Sequence, residues 1–146
     1  MKVTTLTTYT PETAARIREL LIQLSRSKKD RGEIPRQWFD ELISSPTHDM
    51  LIALDDNNKI QGIATLSIIM GPIVRHVAYL EDFVTDESVR GQGYGTALWN
   101  AMVDWSRKKG CTELNFTSGQ GRESAWKFYQ SKGAEIYDTN FFRFVL

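Results

Sequence analysis

The spacing of apolar residues changes period several times along this 146-residue chain, and each change predicts an element. "KVTTLTT" is β-branched and alternating, which predicts a strand. "TPETAARIRELLIQL" then places Thr10 at an N-cap and Pro11 at the first helical position, with Ala14, Ile17, Leu21 and Leu24 on one face and Arg16, Glu19 and Gln23 elsewhere. The polar run "SRSKKDRGE" reads as a loop, and "IPRQWFDELI" as a second, shorter helix closed by "PTHD". "MLIAL", the turn "DDNNK" and "IQGIATLSIIM" form a hairpin pattern, and "HVAYLEDFVT" follows as another strand.

From Gly93 to Lys109 the apolar positions Leu98, Ala101, Met102 and Trp105 recur at helical spacing, with Lys108 and Lys109 in the last turn and Gly110 at C′. "TELNFT" then alternates as a strand, "GRESAWKFYQSK" reads as a helix closed by Gly133, and "FFRFVL" predicts a final strand. An antiparallel front half followed by a crossover back half predicts a mixed α+β sheet.

Composition narrows the class. Hydrophobic residues at 41% and charged residues at 25% are globular values, and the length fits one domain over 1–146. Eighteen basic residues balance eighteen acidic ones, so no overall field draws the chain to nucleic acid or anionic lipid. The most apolar stretch, Gly62 to Val74, contains Ser67, Gly71 and Pro72, reads as a buried strand, and predicts no membrane span. No apolar targeting segment follows "MKVTTLTTYT", and the single Cys111 has no disulfide partner in the chain, so a reducing cytoplasm is the expectation. His48 and His76 are isolated, which predicts no metal site.

The candidate chemistry begins at "VRGQGYGTAL". Gly91, Gly93 and Gly95 lie between a strand and a long helix, where backbone N–H groups and the helix dipole favour an anion such as phosphate. No Lys-Ser or Lys-Thr follows, which excludes a Walker A loop, and Thr96 occupies the third glycine position of a dinucleotide fingerprint. A plain tight turn is the other reading of these glycines.

Arg90-x-x-Gly93-x-Gly95 resembles the acetyl-CoA pyrophosphate loop, [QR]-x-x-G-x-[GA], of the GNAT superfamily of N-acetyltransferases, and the order of elements resembles that family over nearly the whole chain. The resemblance implies a mixed, mostly antiparallel central sheet flanked by about four helices. It implies that the pyrophosphate is held by N–H groups of Arg90, Gly91, Gln92, Gly93, Tyr94, Gly95 and Thr96. It further implies that the pantetheine arm pairs along the preceding strand, with Phe83, Val84 and Thr85 as the positions whose main chain polarises the thioester.

"YLEDF" in that strand is similar to the stretch in polyamine acetyltransferases, and its Glu-Asp pair to that of glucosamine-phosphate acetyltransferases. By this resemblance Glu81 takes the amine proton and Asp82 orients the substrate. Adjacent strand residues point to opposite faces, so one of the two reaches a given site, and a structural carboxylate is the other reading. A carboxylate partly removed from water is pushed toward the range in which it deprotonates an ammonium near neutral pH. "SAWKFYQSKG" resembles the family's A-x-x-[FL]-Y-x-x-x-G ending, which assigns Tyr129 as the acid that protonates the leaving thiolate; an aromatic packed on a helix face is the alternative. Trp99, Trp105, Trp126 and Phe128 read as core. Arg122 stands where many family members have a cofactor-contacting asparagine, leaving Arg122 or Ser118 to make that contact.

The implied activity is acetyl transfer from acetyl-CoA, with no metal, to a primary amine of a small molecule by direct attack. A protein amine as acceptor, and a CoA-binding sensor or partner-binding module without turnover, stay open beside it. Arg26, Lys28, Lys29 and Arg31 lie in the loop between the first two helices, where a solvated loop or the border of an anionic acceptor's site are the two readings. The aromatic tail "NFFRFVL" either completes the sheet or exchanges with a second copy in a homodimer.

Overall fold

In the computed structural model, which describes residues 1–73 and 75–146, five strands pair in chain order into one sheet. They are β1 (Lys2–Thr5), β2 (His48–Leu54), β3 (Ile60–Gly71), β4 (Arg75–Thr85) and β5 (Glu113–Phe116). The first four pair antiparallel and β5 joins β4 in parallel, which makes the sheet mixed and mostly antiparallel. Four helices accompany it: α1 (Pro11–Leu24), α2 (Arg36–Ser44), α3 (Tyr94–Lys108) and α4 (Glu123–Ser131). The described residues gather into two units, Met1–Phe116 and Thr117–Leu146.

The helix boundaries follow local signals. Thr10 caps α1, its Oγ1 accepting from the Thr13 N–H at 3.1 Å, and Pro11 supplies the first turn without an N–H to lose. The buried stripe of α1 is centred on Ile17 and Leu20, with Ala14 and Leu21 only partly covered, so the inward face is turned slightly from the one the sequence suggested. In the β2–β3 turn Asp55 accepts from the Asn57 and Lys59 N–H groups at 2.9 Å each, and Asn58 takes a φ of 61°. Gly110 and Gly133, at φ 74° and 82°, close α3 and α4.

Strand alternation divides the first unit's core in two. Met50, Ile52 and Ile63 pack with Ile17, Leu20, Phe39 and Leu42 of α1 and α2. Leu51, Ala53 and Ala64 alternate to the opposite face, where α3 buries Leu98, Met102 and Trp105, the last donating its indole N–H to Asp49 at 2.7 Å. Gly62 lies on that face because a Cβ there would meet Leu98 Cδ1 and the Val84 carbonyl oxygen, each at 2.9 Å.

Three expectations change. The apolar run Gly62 to Val74 is buried only through Ser67; Ile69 and Met70 are exposed, β3 ends at Gly71, and Val74 lies outside the described residues. Trp99 and Trp105 are buried as core, whereas Trp126 and Phe128 keep part of their surface exposed. Residues 134–146 form neither helix nor strand, so "FFRFVL" is not a strand within this chain. A run with strand composition forms a strand only where a neighbour supplies the ladder.

Candidate active site and cofactor loop

The site is strung along one continuous piece of chain, from the middle of β4 to the first turn of α3. Its geometry starts with a break in register. Thr65 of β3 faces Asp82 and the next residue, Leu66, faces Leu80, so Glu81 is one residue in excess, a β-bulge. The parallel ladder from β5 ends at the same place, its last pair being Leu80 and Phe116. Residues Glu81 to Thr85 therefore run on past the end of β5.

The bulge sorts the two carboxylates. Glu81, as the surplus residue, is exposed. Asp82 shares its face with Val84, which packs against the α1–α2 core, and it is half-buried. Burial, reinforced by the neighbouring Glu81 charge, pushes the Asp82 carboxyl above its ordinary value. The partial burial expected of Glu81 is not found there; the bulge leaves Glu81 in solvent, and the desolvation falls on Asp82 instead. Phe83 and Thr85 alternate to the α3 face, and both, like Val84, are half-buried.

After β4 the chain makes a single 3₁₀ turn, Glu87–Val89, and enters the glycine loop. Gly91 and Gly93 have φ of 76° and 89°, values that side-chain-bearing residues rarely adopt; a Cβ at Gly91 would have nothing within 4 Å, and one at Gly93 would meet only Met1 Cε, at 3.9 Å. Gly93 is the N-cap of α3 and has no side chain to cap the first-turn N–H groups. The Tyr94 side chain turns inward and is buried; burial pushes its phenol up, helped by Asp55 and Asp56. Tyr94 can thus serve a ligand only through its main chain. Arg90 is exposed and lies 3.4 Å from Glu87, which also stands 3.4 Å from Lys28. The basic loop between α1 and α2 thereby reaches the approach to the glycine turn.

Tyr129 belongs to the second unit. On α4 it is half-buried beside Phe128, the ring centroids 5.8 Å apart and nearly edge-on. Burial raises its phenol pKa and the Arg122 charge opposes that rise. Ser118 is engaged inside the same unit, accepting from the Trp126 indole N–H at 3.2 Å.

Sequence reasoning missed a second feature of the first unit. Arg16, read as an outward polar residue of α1, is largely buried and pairs with Asp86 at 2.5 Å, while its Nε donates to the Ile60 carbonyl at 2.8 Å. The only local signal was "DES", in which Asp86 caps the 3₁₀ turn by accepting from the Ser88 N–H at 2.8 Å.

A sheet whose fourth strand outruns its neighbour and feeds a glycine turn at a helix N-terminus has the architecture of an acetyltransferase. An aminoglycoside acetyltransferase from an uncultured soil metagenomic sample superposes with a TM-score of 0.83 at 21% identity, over 99% of this chain and 96% of that one. The family model for the acetyltransferase (GNAT) family matches residues 14–134, and the chain belongs to that family. Among curated relatives, an uncharacterized N-acetyltransferase, YhdJ, from Bacillus subtilis (strain 168) is 33% identical over 98 residues, 64% of this chain and 66% of its own. The glucosamine 6-phosphate N-acetyltransferase of Trypanosoma brucei brucei is 36% identical over 64 residues, 44% of this chain and 42% of its own. The chain spans less than two thirds of the length of these curated relatives.

Proposed function

We propose that this protein transfers an acetyl group from acetyl-CoA to a primary amine of a small molecule, by direct attack of the amine. The observation that carries the reading is the run of β4 beyond β5 into the Gly91–Gly93 turn at the head of α3. The turn fits a pyrophosphate, since two positive-φ glycines and an uncapped helix start present N–H groups without side chains in the way. Arg90 adds a cation at the loop. Main chain at Phe83, Val84 and Thr85 accompanies the pantetheine arm and polarises the carbonyl, and acetyl-CoA supplies the thioester carbon that the amine attacks.

Glu81 accepts the proton released as the nitrogen–carbon bond forms. Asp82 holds the amine on the α1–α2 face. Tyr129, a phenol that is protonated at neutral pH, gives its proton to the sulfur that leaves. The names of the glucosamine 6-phosphate N-acetyltransferase and the aminoglycoside acetyltransferase that this chain resembles support a small polar amine as acceptor. In the same reading two copies pair through the tail. Phe141, Phe142, Phe144, Val145 and Leu146 are all exposed, and β5 ends the sheet. No helix among the described residues is long and apolar enough to cross a membrane, and no described cluster of ligating side chains suits a metal.

Titration with CoA in a calorimeter, followed by a thiol-release assay over a panel of amino sugars, aminoglycosides and polyamines, tests the reading. Saturable CoA binding and amine-dependent thiol release are the expected results. Binding without release on every amine transfers the protein to the class of CoA sensors, and absence of binding removes the cofactor assignment.

A further inference from the structure

The glycine loop is held by very few side chains. From Glu87 to Gly93 none is buried; the nearest buried residues are Asp86 on one side and Tyr94 on the other, both 8% exposed. Tyr94 is an aromatic post in the core. Asp86 is a carboxylate, and a carboxylate placed there must be matched by donors.

It is matched fully. Asp86 Oδ1 accepts from the Ser88 N–H at 2.8 Å and the Ser88 hydroxyl at 2.6 Å, and Oδ2 from Arg16 Nη2 at 2.5 Å and Gln23 Nε2 at 3.3 Å. Gln23 turns its carbonyl oxygen to the Glu87 N–H at 2.9 Å. Arg16 is itself fixed by the Ile60 carbonyl at 2.8 Å, Gln61 Oε1 at 3.3 Å and Glu19 at 2.8 Å. The Asp86 N–H donates to the Gln61 carbonyl at 2.8 Å, and from there main-chain bonds run from Val89 to Asp86 at 3.2 Å and from Gln92 to Val89 at 3.2 Å. One connected set of hydrogen bonds leads from α1 and β3 to the residue before the N-cap of α3.

We propose that Arg16, Gln23 and Asp86 are positioning residues for the cofactor loop, fixing the backbone from Asp86 to Gln92 in its binding shape before the ligand arrives. This rests on the loop being the CoA site. Stability alone does not explain the cluster, because apolar residues of similar volume commonly serve a core as well as a buried ion pair does. What a charged cluster adds is direction. Four donors on one carboxylate specify where the chain turns, and a loop already in shape spends less ordering entropy on binding.

The test compares wild type with Asp86→Asn and Arg16→Met, well below the melting temperature of each, with circular dichroism confirming the folded fraction. Three quantities are read: CoA affinity by calorimetry, the separate kcat and KM values for acetyl-CoA, and amide exchange along the chain. At least ten-fold weaker CoA binding and a matching rise in KM for acetyl-CoA are expected in both variants, with kcat at saturation within two-fold. Faster exchange at residues 87–93, with β2 and β3 unchanged, is expected beside it. A folded variant that binds CoA within two-fold of wild type, or whose exchange rises evenly over the molecule, overturns the proposal. Should wild type bind no CoA, the cofactor reading falls and this proposal falls with it, whereas wild-type binding with unaltered variants overturns the positioning role alone.

Discussion

Two aspartates four positions apart answer pH in opposite senses. Hydrogen bonds from Ser88, with Arg16 and Gln23 beside them, hold the Asp86 carboxyl well below its ordinary value, so its stabilisation is complete above about pH 4 and is lost as pH falls toward the folded value. Burial raises Asp82, so the folded state binds its proton more tightly than the unfolded chain, and that contribution is complete below about pH 4 and lost as pH rises through the elevated folded value. Denaturant titrations from pH 3 to 8 are expected to show Asp86→Asn less stable by about 2–3 kcal/mol at pH 7, with the deficit shrinking below pH 4. Asp82→Asn is expected to be more stable than wild type at pH 7 and equal to it near pH 3. In steady-state kinetics Glu81→Gln and Tyr129→Phe are each expected to lower kcat by about 10²–10⁴-fold, as for loss of a general base or acid. Asp82→Asn is expected to act mainly on the KM of the amine.

At the scale of elements, the helices were legible because their ends are written locally. Thr10 and Pro11 open α1 and Gly110 closes α3, and the structure puts the boundaries there. The bulge at Glu81 was not legible, since one surplus residue shows only when β3 is laid alongside. The Arg16–Asp86 pair joins residues 70 positions apart and leaves each looking like an ordinary polar residue. Gly62 joins two elements in the same hidden way. Gly62→Ala is expected to cost about 1–3 kcal/mol in chemical denaturation, because a methyl at 2.9 Å from the Val84 carbonyl meets backbone that cannot rotate aside. Since Val84 lies in the strip proposed for the pantetheine, CoA affinity is expected to fall in the same variant.

For the whole molecule the open question is what the last residues do. Phe141, Phe142 and Phe144 are 77%, 87% and 88% exposed, an unusual cost for three aromatics within four residues. In the proposed dimer an exchanged tail on the β5 edge of a second copy would satisfy both open features at once, and a two-fold arrangement would stop there. Light scattering at about 50 µM is expected to give twice the 16.7 kDa chain mass for wild type and the single mass for Phe142→Glu combined with Phe144→Glu. A wild-type monomer whose tail amides resist exchange shows instead that the segment folds onto its own sheet.

The surplus residue in β4 has an evolutionary consequence. Leu80 and Asp82 already face consecutive residues of β3, so losing the codon for Glu81 leaves every other pair of the ladder in place. Such a deletion erases the bulge and the exposed carboxylate while leaving the fold intact. With Glu81 as the proposed base, a single in-frame loss is thus a short route from this sequence to a descendant with an unbroken β3–β4 ladder and a strongly lowered rate.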